Sequence, residues 1–356
     1  MIHKTAHSDL KIGFIYYTFY PVTGGASVHG YNLAKELYKQ GYELFKINGD
    51  SDPFTHRLEN PVTGLFWILV NCDLIYIRLD YFLNFRNLIS ILALLSGKKM
   101  IVELNSPSDE LHLFGRSEKY IHFVDSVVSK ILRSADAVIT VSDPLKRYCE
   151  EALQLTNVHV IENGGEIFIE TPEGVSNAVK QKMQEIKQKY SKTVVWSGSA
   201  NDMQDLKKIE AIAEAQKNKS AVVCIIKKDQ ERGEVPSSNE NLYVFKNLPR
   251  DDVKYIISNS EIGLALYRGY PWSRWGFYNS SLKVFEYLNN GLLTITNTAG
   301  TEIQKSHPNF RSADTEEEIT ALIDQFKGDS YDPEKSRTWS KVAEETSRII
   351  QQVTNR

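Results

Sequence analysis

The sequence predicts an α/β fold made of two domains, each built around a parallel sheet, and three observations support this. The chain has 356 residues, which is long for one domain and comfortable for two. Short β-rich runs alternate with helical patterns, as parallel βαβ units require. A polar connector at 167–191 separates two such series. We therefore expect an N-terminal domain over 1–166, a C-terminal domain over 167–335, and a last helix, about 336–356, that packs back on the first domain.

Short runs of β-branched and aromatic residues predict the strands. They cover residues 11–17, 43–47, 73–77, 99–103, 137–141, 158–161, 193–197, 221–226, 242–245, 262–266 and 293–296. The run AVITV at 137–141 is apolar throughout, which is typical of a strand covered on both faces. Residues 28–40 predict an amphipathic helix that ends at Gly41. Ser142 and Pro144 predict another helix start, because serine caps helices and proline fits their first turn.

The longest apolar run is LISILALL, at 88–95. It is far shorter than the roughly 20 residues that a membrane span needs. Two interpretations stay open for it: a buried helix of an α/β layer, or a patch that touches a membrane.

Composition and spacing exclude several classes of function. The net charge of −3 and a pI near 6.3 disfavour a nucleic-acid partner. The three cysteines form no CxxC pair, and the N-terminal residues lack the apolar core of a signal peptide, so we expect a cytoplasmic protein. No metal-ligand spacing occurs, so we expect neither a metal nor another cofactor.

Gly24 and Gly25 follow the first predicted strand and precede a helix, in the loop TFYPVTGG. Ligands of open α/β sheets bind beyond the carboxyl ends of strands, and a glycine-rich helix start lets the backbone approach an anion. The spacing matches neither GxGxxG nor GxxxxGK[ST], which disfavours dinucleotide dehydrogenases and P-loop proteins. The alternative is a plain tight turn.

The segment YNSSLKVFEYLNNG predicts a helix start with groups suited to a nucleoside diphosphate. Ser280, Ser281 and Lys283 offer donors to phosphates, while the Glu286 carboxylate can accept from ribose hydroxyls. Lys283 and Glu286 are three residues apart and share a helix face. The alternative is an exposed Lys–Glu pair on an ordinary helix.

Further donor-binding candidates follow two other predicted strands. They are Gly198, Lys207 or Lys208, Arg268 and Arg274. Glycine allows close approach of a nucleotide, and the cations neutralise phosphate. Trp272 and Trp275 lie in the same loop as the two arginines, so ordinary cation–aromatic packing is an alternative there. For each lysine, the alternative is a solvated helix position.

The loop ELNSPSDELH holds the candidates for acceptor chemistry. Asn105, Glu110 and His112 lie after the strand at 99–103, and each can orient or deprotonate an acceptor hydroxyl. The alternative for His112 is a polar surface residue.

Four stretches together resemble the family 4 retaining glycosyltransferases. They are residues 21–41, 134–164, 194–208 and 280–291. The pieces ADAVITVS…IENG and LKVFEYLNNG are the most specific. The resemblance implies the GT-B fold, in which two facing Rossmann-like domains with parallel sheets enclose an interdomain cleft.

The resemblance also implies roles for individual residues. Glu286 would bind the ribose of the donor, Lys283 and the Ser280–Ser281 turn its diphosphate, and Gly24 and Gly25 would line the cleft. The sequence departs from the family at Tyr278, where the first glutamate of its pair is expected, and at Ser199, where an arginine is common. The family's catalytic histidine has no clear match.

The resemblance thus implies an enzyme that transfers a hexose from a UDP- or GDP-sugar to an acceptor hydroxyl, with retention and without a metal. The acceptor would be a saccharide or a lipid-linked saccharide in cell-surface polysaccharide synthesis, with peripheral contact to the inner membrane face. The departures keep a second class open, a non-catalytic GT-B subunit that supports a partner. A sugar-nucleotide epimerase of the same fold is a third possibility.

Overall fold

The computed structural model describes residues 10–16, 22, 24–47, 49–79, 81, 83–168, 174–227, 231–237, 239–328 and 333–355. They belong to two compact units. The first comprises Met1–Asn163, Tyr270–Ser280 and Trp339–Arg356, and the second comprises Gly164–Gly269 and Ser281–Thr338. The division into an acceptor and a donor domain stays a prediction.

Strands and helices alternate along both units. The strands are β1 Lys11–Ile15, β2 Glu43–Lys46, β3 His56–Arg57, β4 Leu74–Leu79, β5 Lys99–Leu104, β6 Ala137–Thr140, β7 Val158–Val160, β8 Lys192–Ser199, β9 Ser220–Lys227, β10 Gly233–Val235, β11 Leu242–Lys246, β12 Ile262–Ala265, β13 Leu293–Thr296 and β14 Phe310–Ser312. The helices are α1 Gly25–Lys39, α2 Pro61–Asn71, α3 Phe85–Ser96, α4 Glu118–Ser134, α5 Asp143–Arg147, α6 Asn177–Lys189, α7 Leu206–Ala215, α8 Arg250–Ser258, α9 Leu282–Asn289, α10 Glu302–Lys305, α11 Glu316–Gln325 and α12 Trp339–Thr354.

The first unit holds a parallel sheet of order β3-β2-β1-β4-β5-β6-β7. Its strands match the predicted runs, and the short edge strand β3 is an addition. The predicted helix start after β6 is confirmed, since the Ser142 hydroxyl accepts from the Leu145 amide at 3.4 Å. The helix α2 was not predicted from the sequence, although Asn60 caps it and Pro61 opens it.

The second unit holds a sheet of order β10-β11-β9-β8-β12-β13-β14, parallel except for the pair of β10 and β11. One apolar cluster, which includes Trp196 and Leu264, covers one face of this sheet. A second cluster, which includes Val195 and Phe245, covers the other face. Neighbouring strand residues thus face opposite clusters, as expected of a parallel sheet covered on both faces.

The interpretation of residues 88–95 as a buried helix of an α/β layer is confirmed for one face of the helix only. They lie in α3, where Ile89 and Ala93 are fully buried, but Leu88 is 48% exposed and Leu95 is 79% exposed. The physical reason is position: α3 packs on β4 and β5 as an outer layer, so only one of its faces is covered.

The three cysteines, Cys72, Cys149 and Cys224, are buried and form no disulfide. Burial raises the pKa of each thiol to about 12. None of the helices in the described parts of the chain combines the length and the apolar character needed to span a bilayer.

Candidate functional site

The strand order of the second unit reverses at β8. From β8 the chain proceeds to β9 on one side, and it later returns to β12 on the other side. In open α/β sheets, ligands bind outside the carboxyl ends of the strands at such a switch point. Gly198, near the end of β8, and Tyr267, just after β12, lie there. The candidate site therefore lies around these two strand ends.

The helix α9 is fixed against this point by its own side chains. The Ser197 amide donates to the Tyr287 hydroxyl at 2.8 Å. Tyr287 in turn fills the space above Gly263, where a Cβ atom would lie 2.3 Å from its ring. At the other end, the buried Asn289 amide donates to the carbonyl oxygens of Gly165 and Arg337, both at 2.9 Å. These contacts hold the first turn of α9 beside the end of β8.

Lys283 is the central cation of the site. Its ammonium group donates to the side-chain oxygen of Gln204 at 2.7 Å, and it lies 4.4 Å from the ring centre of Trp196. A Cβ atom at Gly198 would be 2.9 Å from the ammonium nitrogen and 3.0 Å from the Trp196 ring, so any side chain there would displace the ammonium group from this position. Among the described residues, no carboxylate pairs with Lys283. It is a half-buried cation whose hydrogen-bond partner is neutral.

The surroundings of Lys283 disfavour its charged form. Burial, and next the positive charge of Lys227, lower the pKa of Lys283 to about 7, while Cys224 acts in the opposite direction. Burial also lowers the pKa of Lys227, and Glu286 opposes that shift. An anion placed beside Lys283 would favour its charged form, so binding of an anion is coupled to protonation.

The first turn of α9 adds donors to the same place. Ser281 precedes the helix, but its side chain does not cap it; the hydroxyl instead pairs with the Tyr267 hydroxyl. The first amides of a helix have no partner within the helix, and its dipole is positive there. The structure thus brings together Gly198, Ser281 and Lys283, three of the predicted donor-binding residues.

Glu286 lies one turn further along α9, with its side chain 13% exposed. Its carboxylate pairs with the Arg250 guanidinium, which also donates to Glu166 at 2.7 Å. Burial opposes the charge on Arg250, but the carboxylates of Glu286 and Glu166 raise its pKa above its usual range. Arg250 therefore fixes one oxygen of the Glu286 carboxylate.

The other predicted cations of this unit do not share the contacts of Lys283. Lys207 is exposed on α7, and the Lys208 ammonium donates to the Asp314 carbonyl at 2.8 Å. Arg268 is 46% exposed in its side chain and lies 3.9 Å from Asp202. A donor-binding role for Lys207 or Arg268 stays a prediction.

Four predicted donor residues belong to the first unit: Arg274, Ser280, Gly24 and Gly25. Arg274 forms a two-pronged contact with Asp109, at 2.8 Å and 3.2 Å. Ser280 is buried, and its hydroxyl accepts from the Asn163 amide at 2.9 Å. Their role in donor binding stays a prediction.

Most of the predicted glycine loop lies outside the described residues, namely Thr18–Pro21 and Thr23. Gly24 caps α1, and its amide donates to the Ser27 hydroxyl at 3.0 Å. Gly25 is the first residue of the helix. Their proposed approach to an anion stays a prediction.

A buried polar cluster, formed around Glu103, lies beside the switch point of the first sheet, between β1 and β4. Glu103 is fully buried, and its carboxylate accepts from the Tyr76 hydroxyl at 2.8 Å and from the Tyr16 hydroxyl. The His29 ring lies 3.2 Å from the same carboxylate and 2.5 Å from the Asn163 side-chain oxygen. Burial alone would raise the pKa of Glu103, but His29, Arg78 and Tyr16 hold it well below its usual range.

This cluster makes the Glu103 carboxylate a stabilising group. We expect Glu103→Gln to lower the free energy of unfolding by about 3 kcal/mol, because an amide cannot replace a buried carboxylate that accepts from two hydroxyls beside a histidine. Since the pKa of Glu103 is held low in the folded protein, its contribution is present above about pH 4.3 and is lost as the pH falls further. Urea unfolding at pH 7 and pH 4 measures both effects.

The control for this prediction is Glu118→Gln, at a glutamate whose side chain is 69% exposed. Equal stability of the Glu103 and Glu118 variants at pH 7 would show that the buried carboxylate does not stabilise the fold.

The three predicted catalytic residues contact three different partners. The Asn105 amide donates to Glu103 at 2.6 Å. Burial, followed by the negative charge of Glu110, raises the pKa of Tyr278. His112 lies on the 3-10 helix Ser108–Phe114, and its ring nitrogen is 3.4 Å from Glu118. Their roles in acceptor chemistry stay predictions.

Several residues of these clusters were not predicted from the sequence. They are Tyr16, His29, Tyr76, Asn163, Gln204, Arg250 and Tyr267. A histidine on the buried face of α1 is a usable signal for His29. No sequence signal distinguishes Arg250 from other arginines, because its partners come from distant segments. The described residues include no group of three His, Cys, Asp or Glu side chains arranged for a metal ion.

The structure resembles solved proteins along almost its whole length. Anabaena Alr3699/HepE in complex with UDP-glucose has a TM-score of 0.59 and 13% sequence identity, over 97% of this chain and 98% of that one. An E. coli structure described as trehalose-6-phosphate bound with UDP-2-fluoro glucose has a TM-score of 0.57 and 12% identity, over 97% and 96% of the two chains. OtsA in its apo form has a TM-score of 0.57 and 13% identity, over 98% and 97%. No protein-family model and no curated protein sequence matches this chain.

Proposed function

Starting from the GT-B fold, which these similarities establish for the chain, we propose that the protein is a glycosyltransferase that moves a hexose from a nucleoside-diphosphate sugar to an acceptor hydroxyl. One observation carries the proposal. A half-buried lysine, which has no carboxylate partner among the described residues, lies beside a helix start at the switch point of the second sheet. A diphosphate supplies the negative charge that this arrangement lacks.

The chemistry follows from where charge develops during transfer. The bond between the anomeric carbon and the phosphate oxygen breaks, and negative charge grows on the leaving diphosphate. Donors that are already in place stabilise this charge without further reorganisation. Lys283 and the first amides of α9 are those donors in this unit. The Trp196 ring also limits water around the ammonium group, which strengthens its interaction with phosphate.

Glu286 fits the ribose of the same ligand. It lies three residues after Lys283 on α9, so the two side chains are neighbours on the helix surface. Arg250 holds one carboxylate oxygen, and ribose hydroxyls donate to the other. The resemblance of residues 280–291 to the family 4 enzymes supports the same assignment.

We propose UDP as the donor nucleotide. HepE and the E. coli structure are described with UDP-glucose and UDP-2-fluoro glucose, respectively. GDP is the second candidate. The acceptor proposed from the sequence resemblance is a saccharide or a lipid-linked saccharide of a cell-surface polysaccharide. The hexose is transferred to it in the cytoplasm, with retention at the anomeric carbon and without a metal ion. Asn105, Glu110 and His112 remain its proposed catalytic residues.

A thermal-shift panel of UDP, GDP, ADP and CDP tests the donor assignment. A ligand at 100 times its Kd stabilises the folded state by about 2.7 kcal/mol. Since UDP is the proposed donor nucleotide, we expect UDP to raise the Tm more than GDP, ADP or CDP does. Uridine without phosphates serves as the control and should give little shift, since the proposed site binds chiefly the diphosphate. No response to any nucleoside diphosphate would contradict the proposed function.

A non-catalytic role is the second candidate, and Tyr278 favours it. Tyr278 stands where the family's first glutamate is expected, and it is 1% exposed. A turnover assay with UDP-hexoses, in the presence of saccharide or lipid-linked acceptors, decides between the two functions. If the chain binds UDP but neither transfers nor hydrolyses the sugar, it is a binding subunit. Conversion of the donor without any acceptor would indicate an epimerase.

A further inference from the structure

The helix α2 has an apolar outer face. Val62, Phe66 and Val70 are 63%, 66% and 72% exposed, and their spacing of four residues places them in one line along the helix. The opposite face is covered, with Leu65 and Ile68 buried. The helix contains no charged residue. It is therefore apolar on its solvent side as well as on its core side, which packing on β1 does not require.

The neighbouring helix α3 repeats this pattern. Its exposed apolar side chains are Phe85, Leu88, Ile91 and Leu95, and Leu95 is 79% exposed. Its one charged residue, Arg86, is buried and donates to the Arg78 carbonyl at 3.2 Å. The outer face of α3 therefore carries no charge, and α3 packs beside α2, whose outer face is also apolar.

The third helix of the layer, α4, brings positive charge beside this surface. It packs against α3, and its exposed residues include Phe123, which is 58% exposed. Lys119 and Lys130 lie four residues before and seven residues after Phe123, so the three side chains share one face. At the end of α2, the Lys98 ammonium donates to the Cys72 carbonyl at 2.7 Å. In the described parts of the chain, no carboxylate pairs with these three lysines.

We propose that the outer faces of α2, α3 and α4, here called the helical surface, bind a lipid bilayer that contains anionic lipids. A large exposed apolar area marks a place that another molecule covers. The lysines beside it complement negative headgroups, whereas they would repel one another across a contact between two copies of the chain. Phenylalanine, leucine and valine enter the boundary between headgroups and acyl chains. This proposal uses only first-unit residues and is independent of the donor site.

Sedimentation with vesicles tests the helical surface in the full chain. We expect the wild-type protein to bind vesicles of phosphatidylcholine and phosphatidylglycerol, and to bind pure phosphatidylcholine vesicles more weakly. The double substitution F66S/L95S should lower partitioning about tenfold or more, because both side chains lose their burial in lipid. K119Q/K130Q should leave binding to neutral vesicles unchanged and lower binding to anionic vesicles about tenfold.

Ile303→Ser is the matched control, because Ile303 is 37% exposed on α10 of the second unit and lies outside the helical surface. It should bind vesicles like the wild type. Absence of wild-type binding to both kinds of vesicle would overturn the proposal, and so would equal binding of wild type and F66S/L95S. A dimer in sedimentation velocity that F66S/L95S abolishes would also overturn it, since the helical surface would then be a self-interface.

The nucleotide response keeps this test separate from the proposed function. F66S/L95S should show the same Tm shift with UDP as the wild type, which also shows that the variant is folded. If F66S/L95S fails to fold, K119Q/K130Q decides alone, because equal binding of this variant and wild type to anionic vesicles contradicts the role of the lysines.

Discussion

Lys283→Ala should weaken binding of a UDP-sugar about 100-fold and lower its transfer at least as much. The substitution removes the ammonium group that the proposed diphosphate contacts, and charge-assisted hydrogen bonds of this kind contribute about 3 kcal/mol, or about 100-fold. Titration calorimetry with a UDP-sugar and a transfer assay measure the two effects. Lys217→Ala is the control, at an exposed lysine of the same unit.

The same residue gives the wild-type protein a pH dependence. Since the pKa of Lys283 is lowered to about 7, the ammonium form is the major one below pH 7 and the minor one above it. Affinity for a UDP-sugar should therefore rise as the pH falls from 8 to 6. A UDP-sugar is the proper ligand, because its phosphates are both esterified and keep a constant charge, whereas the terminal phosphate of UDP titrates near pH 6. Lys283→Ala should abolish the dependence.

Unchanged affinity of Lys283→Ala would refute the donor site. Lys283→Ala could instead bind the UDP-sugar more weakly and keep the pH dependence of the wild type. That result would show that Lys283 contributes to the shape of the site but not to its charge, and that anion binding is not coupled to protonation of Lys283.

Glu286→Ala should lower transfer about 100-fold through loss of ribose binding. The carboxylate accepts from ribose hydroxyls in the proposed complex, and hydrogen bonds to a charged group are worth about 1.5 to 3 kcal/mol each. The fold should lose only about 1 kcal/mol, because the half-exposed Arg250 keeps its contact with Glu166. Urea unfolding and the transfer assay separate the two effects.

A comparison of ribose with 2′-deoxyribose makes the assignment of Glu286 specific. The wild type should prefer UDP to 2′-deoxy-UDP, and Glu286→Ala should bind both with similar affinity. The control is Glu185→Gln, at a glutamate of α6 whose side chain is 50% exposed. A preference for UDP that survives Glu286→Ala would place the ribose elsewhere.

The strands were predictable because their signal is local. The run 137–141 is apolar throughout, and the structure forms β6 over four of its residues, Ala137–Thr140, inside a covered parallel sheet. Likewise, serine and proline at 142 and 144 encode a helix start through contacts with their immediate neighbours. Such features depend on a few consecutive residues, so one sequence is sufficient to recognise them.

The partners of Lys283 and Glu286 were not predictable, because they come from distant segments. Lys283 contacts Gln204, which is 79 residues away, and Glu286 contacts Arg250, which is 36 residues away. The spacing of Lys283 and Glu286 predicted that they share a helix face. It did not predict that the two side chains contact different polar partners. In the same way, Arg268 and Arg274 are close in sequence, yet they belong to different compact units.

The choice between burial and exposure of residues 88–95 stayed open in the sequence for a related reason. An apolar run such as 88–95 has the same composition whether it fills a core or faces outward. Only the position of the helix in the outer layer, above β4 and β5, shows that Leu88 and Leu95 are uncovered.

The burial of the three cysteines has a practical consequence. Thiols react as thiolates, so buried groups with a pKa of about 12 are nearly inert toward maleimides at neutral pH. A cysteine introduced on the protein surface would then be the main site of labelling, without removal of the native ones. A polarity-sensitive dye at position 91, for example, would report directly on whether that position leaves water.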